Sequence, residues 1–334
     1  MSFHIWNRRY TGSKYKLSEW ICELIQHNCV GMSFCELFAG TAVISSRLVS
    51  QMKEIYINDF LYSNEVIYNA FFSKDEFDEG KLTQLRDLFN NLDVKQLKAN
   101  YVSKNFGNKF FSLNDALKIG YIREALQTLK DVNNKEKNIL LASLIYSLDK
   151  SANTVGHYDA YIKGKVIKDS FEYDLVEPIN IYDCNVHISR EDANEYAKKI
   201  HCDIVYIDPP YNSRQYSRFY HVLENITNWK KPLLFGEACK PEPENMSEYC
   251  RASATKAFES LIMSLDCKYI VVSYNNTYNS KSNSSRNKIS LESICSILEK
   301  RGKVTVFEKP YRFFDAGKTK LPDHKELVFI AKVF

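Results

Sequence analysis

Asp203-Ile204-Val205-Tyr206-Ile207-Asp208-Pro209-Pro210-Tyr211 decides how the rest of the chain is read. The apolar residues from Cys202 to Ile207 predict a buried strand, and the two prolines end it because proline has no N–H to give to a ladder. A carboxylate, a rigid imide pair and a phenol ring are therefore held where the strand stops. In α/β sheets that carboxyl edge is where ligands bind. The set suits a flat base carrying an exocyclic amine. Asp208 can accept one N–H, the Pro209 carbonyl a second, and Tyr211 can stack on the ring. Taken alone, Asp-Pro-Pro is equally well read as a strand followed by a Pro-rich turn.

Strand signals on either side fix the class. They fall at Ser33–Phe38, Ile55–Asn58, Asn185–Ile188, Tyr269–Ser273, Val304–Phe307 and Glu326–Phe334. Helical patterns lie between them: Ser18–Cys29 with Ser18 as N-cap, a helix through Leu48, and another over Ser63–Phe72. The alternation predicts a mostly parallel α/β sheet whose last two strands pair antiparallel around Asp315–Lys325. From Phe72 to Asp174 the chain becomes Lys-, Asn- and Asp-rich with helix-period apolar residues, which predicts a mainly helical insertion. The Asn- and Ser-rich stretch Asn275–Lys288 is expected to be a loop.

Composition sets limits. The 334 residues, 45% of them hydrophobic, can bury a large core, and a net charge of +4 permits a nucleic-acid partner without requiring one. No apolar run approaches the roughly 20 residues of a membrane span, and Met1–Arg9 has no signal-peptide apolar segment, so a soluble cytoplasmic protein is expected. The nine cysteines are scattered without a C-x-x-C pair and the seven histidines without ligand spacing, so neither disulfide nor metal is expected.

Further acids sit after the other strands. Glu36-Leu37-Phe38-Ala39-Gly40-Thr41-Ala42 places small residues at a strand–helix junction, where a nucleotide-like ligand or tight packing would each account for Gly40. Asp59 ends the next strand, as a ribose ligand or as a helix cap. Asp192 opens a helix after the strand near Ile188, where a first-turn carboxylate is favoured in any case.

In this order the motifs resemble those of the adenine-specific DNA methyltransferases that use S-adenosylmethionine. Arg9-Tyr10-Thr11-Gly12-Ser13-Lys14 resembles their amino-terminal cofactor motif and Glu36–Thr41 their glycine motif. Ile57-Asn58-Asp59 and Glu191-Asp192-Ala193 match their cofactor acids, and Asp208–Tyr211, continued by Asn212–Ser217 and Tyr220–Glu224, their catalytic motif. The resemblance implies a Rossmann-like fold with a seven-stranded, mostly parallel sheet. It implies a catalytic domain over 1–71 and 175–334, with a target-recognition subdomain inserted over 72–174. It places Tyr10 and Lys14 at the methionine end of the cofactor and Glu36, Phe38 and Gly40 against it. Asp59 falls on the ribose, Asp192 on the adenine amine, and Asp208, Pro209, Pro210 and Tyr211 on the target base. Double-stranded DNA is the implied partner, with a separate cognate restriction endonuclease in the background. Phosphate contacts are expected from Lys104, Lys109, Lys118, Arg123, Lys163, Lys165 and Lys168 and from Lys281, Arg286 and Lys288, while the resemblance implies that Asn153–Tyr158 faces the DNA. One departure stands out: many members of that family carry a second glycine where this chain has Ala42, and alanine resists positive φ. Methylation of RNA adenine or of the cytosine amine, and a binding protein without turnover, are the competing readings. An initial Asp rather than Asn or Ser in the catalytic motif argues against the first two.

Overall fold

Seven strands form one sheet in a computed structural model that describes residues 2–277, 286–311 and 324–334. They are β1 (Ser33–Glu36), β2 (Glu54–Asn58), β3 (Asn185–Ser189), β4 (His201–Ile207), β5 (Asp266–Asn275), β6 (Gly302–Pro310) and β7 (Lys325–Val333). The order is β3-β2-β1-β4-β5-β7-β6. The first five run parallel, while β7 runs antiparallel to both β5 and β6. This is the expected seven-stranded, mostly parallel α/β sheet, with the antiparallel pair where the sequence placed it. Most of Asp315–Lys325 and of Asn275–Lys288, including Lys281, lies outside the described residues.

Burial explains the strand readings. Phe34, Cys35, Val205, Tyr206, Ile207, Ile270, Val271 and Val272 are at most 1% exposed, so the central strands are covered on both faces. Such strands read as continuous apolar runs rather than as alternation. Asp203 interrupts β4 for a local reason: its carboxylate accepts from Met32 N (2.8 Å), Ser33 N (3.1 Å) and Ser33 Oγ (3.0 Å), and it pairs with Lys268 (2.7 Å). That clip fixes the start of β1 against β4. It also requires Gly31, because a Cβ there would lie 2.2 Å from Asp203 Cβ. All nine cysteines are free thiols, and eight of them are buried.

The helices need one correction. Ser18 is the first residue of helix Ser18–Asn28, not its cap; Leu17 occupies that position. Its hydroxyl donates to Tyr15 O (2.8 Å) and accepts from Arg47 Nε (2.6 Å).

The chain divides into two compact units. One holds Lys14–Phe60, Tyr182–Tyr216 and Asn245–Phe334, and so contains the entire sheet. The other holds Met1–Ser13, Leu61–Ile181 and Ser217–Glu244 and is mainly helical. The expected insertion, 72–174, lies within this helical unit together with its own flanks in Leu61–Ile181 and two other segments, Met1–Ser13 and Ser217–Glu244. Among the described residues no helix is long and apolar enough to cross a membrane.

Candidate active site

Strand order determines where a site can form. Connections from β1 run outward one way through β2 and β3, and those from β4 the other way through β5, so β1 and β4 flank a topological switch point. Past the carboxyl ends of these strands lie the glycine loop after β1, Asp59 after β2, Asp192 after β3 and Asp208 after β4. The sheet therefore brings the separate sequence motifs to one edge.

The glycine loop is built from hydrogen bonds. Gly40 has φ 53° and Ala42 φ 52°, so Ala42 adopts the left-handed conformation that alanine was expected to resist. What holds it there is visible. Asp59 Oδ2 accepts from Gly40 N (2.9 Å), Asn58 O from Ala39 N (3.0 Å), and Ala39 O from Ala42 N (2.6 Å). Asn58, at the end of β2, ties the neighbouring loops together. Its amide donates to Leu37 O (3.0 Å) and Glu191 O (3.1 Å), and its Oδ1 accepts from Glu191 N (3.1 Å). Asp59 also accepts from Phe60 N (2.8 Å). It does not cap the next helix, Tyr62–Phe72, whose N-cap is Leu61.

Glu36 points into the protein. It is 3% exposed and accepts from both Ser45 N (3.0 Å) and Ser45 Oγ (2.5 Å). Burial pushes its carboxyl up to about 8. Phe38 is half-buried, edge-on to Tyr249 at 4.9 Å. Asp192 caps helix Ala193–Ala197, with Oδ1 accepting from Asn194 N (2.9 Å) and Glu195 N (3.3 Å).

Around Asp208 the polar side chains close into a cluster. Lys14 Nζ lies 2.9 Å from Asp208 Oδ1 and 3.4 Å from Glu326 Oε1, and it also donates to the Tyr211 hydroxyl. That hydroxyl donates to Asp208 Oδ1 and lies 3.2 Å from Glu326 Oε1, which accepts from Ser273 Oγ at 2.8 Å. The Asp208 side chain is 16% exposed, Lys14 7% and Glu326 4%, so of these three charged groups Asp208 is the most open to a substrate. Burial raises the Asp208 pKa, against the pull of Lys14 and Tyr211. Burial would depress Lys14, but Asp208 and Glu326 outweigh it and hold the ammonium above its usual value. Tyr211 stands edge-on to Tyr274 at 4.8 Å, and its carbonyl accepts from Lys288 N (2.8 Å). Pro209 is buried and Pro210 half-buried. Glu326 was missed in the sequence, where its one signal is an acid opening the apolar run of β7.

Tyr10 belongs to the helical unit. It stacks on Tyr220 at 4.9 Å, with the buried Arg8 guanidinium 5.0 and 5.4 Å from the two ring centres, and Tyr220 accepts from Thr11 N at 2.7 Å. Arg123 is unsuited to phosphate. It is 5% exposed and donates to Ile226 O (2.6 Å) and Thr227 O (3.1 Å) at the end of helix His221–Asn228. Lys104, Lys163, Lys165 and Lys168 are exposed, and Lys163 pairs with Glu237 at 2.6 Å. Among the described residues no group of three His, Cys, Asp or Glu could hold a metal ion.

A seven-stranded, mostly parallel sheet in this strand order is the α/β fold of a methyltransferase-type enzyme. The family model of the D12 class N6 adenine-specific DNA methyltransferases matches residues 10–301, and the chain belongs to that family. It is 29% identical over 332 residues to the type II methyltransferase M.NlaIII of Neisseria lactamica, covering 95% of each chain. To the type II methyltransferase M.CviAII of Paramecium bursaria Chlorella virus 1 it is 31% identical over 319 residues, covering 92% of each. To the modification methylase StsI of Streptococcus sanguinis it is 31% identical over 330 residues, spanning 92% of this chain and 49% of that one.

Proposed function

We propose that the chain transfers a methyl group from S-adenosylmethionine to the N6 amine of adenine within a specific site in double-stranded DNA. We further propose that it is the modification component of a restriction system whose nuclease acts separately. The observation that carries the reading is Asp208, partly exposed at the carboxyl end of β4, backed by buried Lys14 and followed by two prolines. S-adenosylmethionine supplies an electrophilic methyl group on a sulfonium, so no covalent enzyme intermediate is needed.

Each residue of the sheet unit has a task that fits its surroundings. Asp59 is fixed by hydrogen bonds that include those from Gly40 N and Phe60 N, and its carboxylate at the end of β2 suits ribose hydroxyls. Asp192 spends Oδ1 on its own helix and leaves Oδ2 for an adenine amine. Phe38 offers a half-buried ring, while the left-handed Gly40 lets the backbone approach closely. Glu36 acts indirectly, holding the helix that follows the glycine loop through Ser45. Tyr10 is assigned to the methionine end by resemblance alone.

Adenine is flipped out of the duplex at a cost of a few kcal/mol. Asp208 and the Pro209 carbonyl then each accept one N–H of its amine. This draws electron density onto a nitrogen otherwise conjugated with the ring, and positioning and electrostatics do the rest. Asp208 need not be a strong base, since the nitrogen becomes acidic once methylated. Tyr211 offers the ring for stacking.

The test combines labelled S-adenosylmethionine and mixed-sequence DNA with sequencing of the modified positions. Label in N6-methyladenine at one sequence context is expected, with Asp208→Ala lowering turnover by about 100-fold or more and leaving cofactor affinity within about threefold. Label on cytosine or RNA, or normal turnover in Asp208→Ala, would refute the proposal.

A further inference from the structure

Glu326 reaches the catalytic edge of the sheet only because β7 runs against its neighbours. Parallel strands bring their last residues to that edge, whereas the antiparallel β7 brings its first, and its register pairs Glu326 with Asn275 at the end of β5. The chain thus buries a second carboxylate, 4% exposed, on the same lysine and the same phenol that serve Asp208. A buried acid without a partner is costly, and this one has three: Lys14, Tyr211 and Ser273. Two carboxylates sharing one ammonium cannot both be fully neutralised by it.

We propose that Glu326 is a positioning residue for methyl transfer. It divides Lys14 and the Tyr211 hydroxyl with Asp208, so that Asp208 keeps enough negative character to grip the amine. The inference rests on the functional reading above. If Glu326 is removed, Asp208 no longer shares Lys14 with this second carboxylate, and a neighbouring negative charge is gone. Asp208 then holds its proton less tightly and is a poorer acceptor. The other titratable groups facing this pair are Tyr206 on β4, Tyr211, Tyr311 after β6, and Glu36 on β1 with Asp59 behind it.

The experiment measures kcat across pH for wild type, Glu326→Gln and Glu326→Asp on duplex DNA, with cofactor affinity by calorimetry as a check on folding. For Glu326→Gln the expectation is a kcat lowered about tenfold or more, and an acid limb moved down by about half a pH unit or more. Cofactor affinity stays within about threefold, and Glu326→Asp recovers part of the rate and moves the limb back. An unchanged kcat overturns the proposal. So does a lowered kcat with the acid limb in place, since a purely structural loss would leave it there. Should Glu326→Gln not fold, Glu326→Asp decides on the same two readouts. A wild-type chain that methylates no adenine refutes the functional reading, whereas an active wild type matched by Glu326→Gln refutes the role of Glu326 alone.

Discussion

Glu36 stands at the end of β1 with both of its short bonds going to Ser45. Burial raises its pKa from 4.5 to about 8, so the folded protein holds a proton that the unfolded chain gives up earlier. For an acid raised in this way, the contribution to stability is complete below the unfolded value and is lost as pH rises through the folded one. Wild type should therefore lose urea resistance relative to Glu36→Gln between about pH 4.5 and pH 8. Unfolding midpoints that keep a constant spacing at pH 5 and pH 8.5 would contradict this. Asp208 was legible in the sequence because two prolines mark where its strand must stop. Glu326 was not, since its importance depends on which way β7 runs and which strand it joins. Those are pairings across more than 50 residues that no local pattern encodes. Arg123 fell on the other side of the same limit: its sequence neighbours suggested a surface cation, while its carbonyl partners lie about 100 positions away.

At the scale of elements, most strands could be read because strands buried on both faces leave unbroken apolar runs. The ends were less legible: β1 stops at Glu36 rather than Phe38, and β5 reaches Asn275 rather than Ser273. The loop after β1 shows why a local rule can fail. Alanine is disfavoured at positive φ by about 1–2 kcal/mol, yet Ala42 sits at 52° because Asp59 and Asn58 over-determine the turn. Replacing it with glycine relieves that strain, against the loss of some chain entropy and of a fully buried methyl group. Ala42→Gly should therefore gain about 0.5–1 kcal/mol in chemical unfolding with unimpaired cofactor affinity. A destabilised Ala42→Gly protein would show that the strain of the turn is smaller than the combined contribution of the buried methyl group and the reduced chain entropy. Ala42→Val, branched at Cβ, should lose stability at the same position.

For the whole molecule, the decisive fact is how often the chain passes from one unit to the other: after Ser13, Phe60, Ile181, Tyr216 and Glu244. Residues 72–174, expected as a recognition insertion, are only part of a helical unit. Helix Asn134–Ser151 packs on Tyr62–Phe72, of which all but Phe72 is outside that range, and on His221–Asn228, and these supply buried Ile67, Tyr68, Phe71, Val222, Leu223 and Ile226. A fragment of 72–174 should therefore lack a cooperative thermal transition, followed by circular dichroism. A sharp melt would establish it as a self-sufficient domain.

The free thiols have one more consequence. Cys35, Cys202 and Cys267 lie on β1, β4 and β5, at the centre of the sheet, and each is nearly inaccessible. Burial raises the Cys267 thiol to about 12, and Cys35 is raised as well, so neither reacts while the strands stay together. The native protein thereby carries its own clock: the pace at which an alkylating reagent consumes these sulfurs counts the openings of the sheet beneath the switch point.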